Sequence, residues 1–182
     1  MDPMRVGTIM AVAVALGALC APMSAEAKPS KAEMKKSKFH IRLGAGFFKK
    51  GKYPEALAEM RKAYALVPLP GHIYNMARCY QEMGRLGEAV EYFHRYLDEG
   101  DDKKKLKKTQ AALSELIPKV FGALEVSCQP AGVAVEIPGV GGGPCPYVNE
   151  QVRAGGWKMK LSAEGYTTAE LDVTVEAGGR AK

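Results

Sequence analysis

Cysteine and histidine are the side chains of this sequence with the most chemistry to offer, and their spacing decides what they can do. His40, His72 and His94 fall on separate stretches with no metal-ligand spacing among them, so no metal site is expected. Gly139-Val140-Gly141-Gly142-Gly143 superficially suggests a phosphate loop. Neither a lysine nor Ser/Thr follows it in the required place, and no helix pattern opens after it, so a flexible turn is expected. No nucleophile stands in a pattern with a base, and no carboxylate pair presents itself. The sequence therefore predicts neither an enzyme nor a cofactor. Cys128 and Cys145 are 17 residues apart in one short stretch. In an oxidising compartment they would pair, closing a loop worth on the order of 3 kcal/mol. Two unpaired buried thiols are the other reading, because strand geometry decides and the sequence does not give it. Cys79 reads as a small core residue on a helix.

The compartment is argued from the first 27 residues. Arg5 is followed by Val6 to Ala25 without a charge, and Ala25-Glu26-Ala27 offers small residues at the two positions a signal peptidase reads. Cleavage after Ala27 is expected, with an uncleaved membrane anchor as the alternative, since about 20 apolar residues can span a bilayer. Cys20 is preceded by Leu19, which argues against a lipoprotein. Asp2 is awkward before such a segment, and a start at Met4 would give the more ordinary Met-Arg opening. From 26 basic and 20 acidic residues, removing Arg5, Asp2 and Glu26 leaves 25 and 18, a net charge of +7. The excess lies in Lys28 to Lys38 and in Lys103 to Lys108. No nucleic-acid motif accompanies either cluster, so solvated helix faces and a leader are expected rather than a nucleic-acid site. Attraction to anionic lipid or wall polymer stays open.

The elements that must position any site begin with a repeat. Gly51-Lys52-Tyr53-Pro54-Glu55-Ala56 recurs as Gly84-Arg85-Leu86-Gly87-Glu88-Ala89, an offset of 33 residues. Leu43 then matches Met76, Gly44 matches Ala77, Phe47 matches Tyr80, Met60 matches Phe93 and Ala63 matches Tyr96. Small, aromatic and alanine positions at this spacing resemble the tetratricopeptide repeat, a helix–turn–helix unit of about 34 residues. Pro68 closes the first copy as in that family. Asp101 stands at the corresponding place in the second, and both copies lack the leading tryptophan. Ser30 and Glu33 have capping-box spacing, so the first helix can start there or near Ser37. Helices are expected to about Lys50, over Pro54–Val67, Gly71–Met83 and Leu86–Leu97. A fifth, capped by Asp101 or Asp102, carries the stripe Leu106, Leu113, Leu116, Ile117 and Val120 and covers the open end of the second pair.

After Pro118 the apolar period changes to two. Leu124, Val126 and Cys128 alternate with polar residues, as do Val133, Val135 and Ile137, then Trp157, Met159 and Leu161, then Leu171, Val173 and Val175, all expected to face inward. Short strands with glycine-rich turns argue for a small β-sandwich. Pro130-Ala131-Gly132-Val133 resembles the motif that names the PEGA domain, with Ala131 and Val133 as departures. The resemblance continues through Gly143-Pro144-Cys145-Pro146, Val152-Arg153-Ala154-Gly155-Gly156 and Glu164-Gly165-Tyr166, and covers Gly122 to about Gly179. It implies a bacterial extracytoplasmic sandwich module, and with the repeats an exported protein of a Gram-negative bacterium. Such domains usually close with a strand after Ala177-Gly178-Gly179, so either a truncated record or an open edge is expected.

The expected fold is thus α+β: a signal peptide at 1–27, a lysine-rich leader at 28–36, a helical repeat domain at 37–120 and a PEGA-like sandwich at 121–182. By the tetratricopeptide resemblance the first helix of each pair lines a concave face. That face would present Lys38, Ile41, Phe48 and Lys49 from the first copy, and Tyr74, Asn75, Arg78 and Gln81 from the second. Family members that grip peptide carboxylates place an asparagine and basic side chains comparably. Asn75 matches the asparagine, and Arg78 and Lys38 are looser analogues. Packing of these residues against the fifth helix or the leader is the alternative. The expected function is an exported, non-enzymatic scaffold binding a protein or peptide, with the sandwich placing it at the envelope. The alternative is a module whose sandwich binds a cell-surface polymer while the repeats are a spacer. A membrane partner is expected only if the first segment is uncleaved.

Overall fold

The computed structural model describes residues 28–129 and 132–182. The expected signal segment, and Pro130-Ala131 of the turn motif, lie outside the described residues.

Five helices come first: α1 (Lys31–Lys49), α2 (Tyr53–Leu66), α3 (Pro70–Glu82), α4 (Leu86–Glu99) and α5 (Lys103–Val120). Ser30 starts α1 with a complete capping box: its hydroxyl accepts from the Glu33 amide at 3.2 Å, and its own amide donates to the Glu33 carboxylate at 2.7 Å. Residues 31–36, assigned to a leader on composition, are therefore the first turns of α1. The two copies end their first helices in the same way. Gly51 and Gly84 both take φ of 71°, a left-handed conformation that a side chain would strain. The amide just after each glycine then reaches back to an equivalent carbonyl, Lys52 to Phe47 and Arg85 to Tyr80, each at 3.0 Å. Asp102 caps α5 by accepting from the Lys104 and Lys105 amides.

Packing follows the small residues. Ala56 and Ala89 are fully buried, and Gly44 faces Ala56 so closely that a Cβ there would lie 3.2 Å from the Ala56 carbonyl oxygen and 2.9 Å from the Met60 methyl. Ile73, Met76, Phe93 and Tyr96 fill the centre, and Leu113, Leu116 and Val120 of α5 cover the second pair. α5 ends at Val120, the last residue of its expected apolar stripe, although it contains Pro118 in its last turn.

α5 passes directly into β1 (Phe121–Val126), followed by β2 (Ala134–Ile137), β3 (Gly141–Pro144), β4 (Tyr147–Arg153), β5 (Gly155–Ser162), β6 (Ala169–Val175) and β7 (Arg180–Ala181). One sheet has the order β4-β1-β7 and the other β3-β2-β5-β6. Leu124, Val126 and Val152 of the first meet Val135, Ile137, Met159 and Val175 of the second. The glycine run is not a flexible turn. Its second half is β3, paired with β2, and a Cβ at Gly142 would lie 2.2 Å from the Val135 carbonyl oxygen. Glycine there permits a close backbone approach that alternation cannot signal. Leu171 is not buried as expected: it is 48% exposed, whereas Val175 at the other end of β6 is buried. β7 is a two-residue strand that pairs parallel with β1, at Ala123 and Leu124.

The two halves touch. The Ala154 amide donates to the Val120 carbonyl and the Gly178 amide to that of Phe121. Arg153 of β4 lies against α4, where its guanidinium fills the space beside Gly87.

Candidate functional site

α1 and α3 are the first helices of their pairs, and their facing sides enclose an open groove of about 190 Å³. Ile41, Ala45, Phe48 and Lys49 come from α1 at helical spacing, Asn75 and Arg78 from α3, and Met60 of α2 forms the floor. The Arg78 guanidinium stands 5.2 Å from the Phe48 ring centre and 3.6 Å from the Glu82 carboxylate. The ion pair is exposed and contributes little to stability, so Arg78 keeps hydrogen-bonding capacity for a ligand. Phe48 is held from its other side by Tyr53, edge to face at 5.2 Å.

Two further hollows continue this groove toward the start of α3. One is lined by Ser37, Lys38, Ile41, Leu69 and His72 among others; the next by Ile41, Leu69, His72, Asn75 and Lys105, with Glu99 and Asp101 at its corner. Shared Ile41, His72 and Asn75 make one trough along α1 and α3. His72 is buried at its side, and its Nδ1 has no hydrogen-bond partner among the described residues. Burial pushes its pKa down, partly offset by the nearby Val67 backbone, so the ring is neutral near pH 7. Lys105 of α5 reaches over Tyr74, 6.0 Å from the ring centre.

Of the expected binding residues, Phe48, Asn75 and Arg78 meet in one groove, and Lys38 lines the adjoining hollow. Tyr74 is a correction: it packs in the core against Phe93 and Tyr96, with ring centres 6.0 and 5.2 Å away. One turn of α3 turns Asn75 and Arg78 outward and Tyr74 toward α4, so the register places the helix correctly but not the side. Gln81 lines none of these hollows and sits in the last turn of α3. Ala45, Met60, Leu69 and His72 were missed as lining residues. Ala45 and Phe48 follow Ile41 at helical spacing, and that pattern signals the first; nothing in sequence marks the others as lining a trough.

The histidines stand apart, His40 against the Glu59 carboxylate at 2.6 Å, His72 buried and His94 exposed on α4. Glu59 also receives Lys62 at 2.6 Å, and these bonds hold its carboxyl below the usual range. Cys128 and Cys145 form a disulfide, with Cα atoms 6.0 Å apart, that joins the end of β1 in one sheet to the end of β3 in the other. Cys79 is free and buried, and burial pushes its thiol up to about 11.

Comparison with known proteins bears on the second half most directly. Residues 121–182 match the family model of the PEGA domain. The PEGA domain thus begins where α5 ends and includes all seven strands. No curated protein matches the chain. Among solved structures, the chain is similar to the N-terminal domain of stress-induced protein-1 (STI-1) from C. elegans. That similarity is 23% in identity over 42% of this chain and 66% of the other, with a TM-score of 0.39.

Proposed function

We propose that the protein is an exported, non-enzymatic adaptor that binds an extended segment of a partner protein in the α1–α3 groove. The PEGA domain holds the groove at the cell envelope. The observation that carries this reading is the meeting of Phe48, Asn75 and Arg78 from two helices around one open, apolar-floored groove. Such a site suits a peptide with an apolar side chain for Ile41, Phe48 and Met60. A carboxylate would take charge-assisted bonds from Arg78 and Lys49 and a hydrogen bond from the Asn75 amide.

Peptide arrays with free and amidated C-termini test the reading. A peptide retained in the groove should lose about 2–4 kcal/mol of binding when Asn75 and Arg78 are both replaced by Ala, with helix content unchanged. Unchanged binding removes these residues from the site. Export is tested separately: N-terminal sequencing of protein recovered from periplasm or medium should begin at Lys28. Full-length chain in an alkali-resistant membrane pellet contradicts it.

A second reading has its own observation. Beside the disulfide, Ser127, Gln129, Ser162, Tyr166 and Thr167 surround an open hollow of about 330 Å³, and Tyr166 is 67% exposed. Hydroxyls around an aromatic face suit a polysaccharide. Sedimentation with envelope polymer that disappears in Tyr166→Ala would favour it.

A further inference from the structure

α1 has two working faces, and only one of them lines the groove. Ser37, Gly44 and Phe48 turn toward α2 and α3. On the opposite side Phe39 is 61% exposed and Leu43 39%, one turn apart on a single line. Cations flank that line. Lys31, Lys35 and Arg42 lie on one side by helical spacing, and together with Lys38 they surround a shallow hollow over Met34. Lys36 lies on the other. Among the described residues no ion pair takes up Lys31, Lys35, Lys38 or Arg42. Glu33, the one carboxylate of α1, is spent on the helix start.

The charge is distributed on a larger scale too. Residues 28–120 carry 20 basic and 11 acidic side chains, whereas residues 121–182 carry five and seven. Short connections make neighbouring helices run in opposite directions, so α1, α3 and α5 begin at the same end. A Cβ on Gly71, at the start of α3, would lie 3.8 Å from the Lys105 ammonium at the start of α5. The lysine run of α5 therefore adds to the positive field at the end where α1 begins. The PEGA domain follows the far end of α5.

We propose that the outer face of α1 docks on the surface of an anionic lipid bilayer. Lys31, Lys35 and Arg42 would meet headgroup phosphates while Phe39 and Leu43 enter the interface between headgroups and chains. Cations beside an apolar line are the arrangement a helix lying in that interface requires, with lysine stems reaching outward to the phosphates. A nucleic acid or acidic polymer would engage the cations but leave Phe39 and Leu43 against water. A second copy of this face would set like charges against each other. The groove stays open in this arrangement, because Ile41, Ala45 and Phe48 belong to the other face.

The test is vesicle co-sedimentation with the chain from Lys28 to Lys182, which contains every described helix and strand and the contacts among them. Vesicles are phosphatidylcholine alone, or phosphatidylcholine with roughly one-third phosphatidylglycerol, at about 0.1 M salt. Binding is expected to the anionic vesicles only and to weaken as salt rises. Lys35→Glu with Arg42→Glu should reduce it at least about ten-fold, because each basic residue near such a surface is worth roughly five-fold. Phe39→Ser should weaken it several-fold, and Phe39→Trp should show emission quenched by bromine-labelled lipid chains. Lys35, Phe39 and Arg42 are all exposed, and circular dichroism confirms that the variants fold. Asn75→Ala with Arg78→Ala should leave vesicle binding unchanged, so failure here and failure of the groove are separate results. Equal binding by the charge-reversed variant overturns the proposal. So does charge-dependent binding indifferent to Phe39→Ser with no quenching, which would mark a polyanion site instead.

Discussion

Burial sets the behaviour of His72 and Thr109, two polar residues to which the sequence assigns no structural role. His72 is held neutral, so the folded state refuses a proton that the unfolded chain accepts. Its contribution is complete above 6.5, the ordinary imidazole value, and declines as pH falls below it. Glu59 acts lower: bonds from Lys62 and His40 depress its carboxyl, so its contribution is present above 4.5 and is lost as pH falls through the depressed value. Denaturant midpoints at pH 7 and pH 5 should therefore separate the two, with a decrease in the native chain that is smaller in His72→Gln. An identical decrease in both proteins would show that the ring protonates freely in the fold. Thr109 is fully buried on α5, and its hydroxyl has no partner among the described residues. Thr109→Val removes an unpaired polar group at nearly constant shape and should raise stability by up to about 1 kcal/mol in a denaturant titration. A loss of that size would show that the hydroxyl is bonded after all.

Two glycines two residues apart on α1, and so on opposite sides of the helix, show how local geometry divides otherwise similar residues. Gly44 sits where α1 crosses α2, and Gly46 has open space around it. Gly44→Leu should cost about 1–3 kcal/mol by forcing the helices apart. Gly46→Ala should stabilise by about 0.5–1 kcal/mol, because alanine restricts the unfolded helix segment without meeting a neighbour. Thermal melts of the two variants should move in opposite directions; movement in the same direction would mean that the crossing is not tight at Gly44. Helices of this kind were readable because the 33-residue repeat carries their ends, and the glycines and alanines are dictated by contacts between sequence neighbours. The strands were less readable. β3 hides in a glycine run and β4 in Tyr147–Arg153, whose apolar residues do not alternate cleanly, since only Val152 of β4 is fully buried. The groove was half readable for a related reason. Periodicity finds the helix that lines it, but the side facing out depends on how α4 packs behind α3, and that misplaced Tyr74.

At the scale of the molecule, no linker separates the helical half from the PEGA domain, and backbone hydrogen bonds at Val120 and Phe121 tie strands to the end of α5. Such a junction favours cooperative unfolding so long as both halves are stable enough to support each other. The PEGA domain has about 60 residues and two thin sheets, so it buries too little apolar surface to be comfortable alone. The Cys128–Cys145 bond compensates by restricting the unfolded chain over a 17-residue separation that contains the glycine run, worth on the order of 3 kcal/mol. Reduction should therefore weaken one half selectively. The protein supplies its own reporters: Trp157, the single tryptophan, lies in β5 with its indole N–H donating to the Arg153 carbonyl at 2.8 Å, while far-ultraviolet dichroism follows the five helices. In the oxidised protein the two signals should be lost in one transition. After reduction and alkylation of Cys128 and Cys145, the Trp157 signal should be lost at a lower temperature than the helical signal. The shift should correspond to a few kcal/mol in the PEGA domain, and Cys79 should stay unmodified until the helices melt. If both signals still move together after reduction, the junction at Val120 couples the halves more strongly than the disulfide stabilises either one.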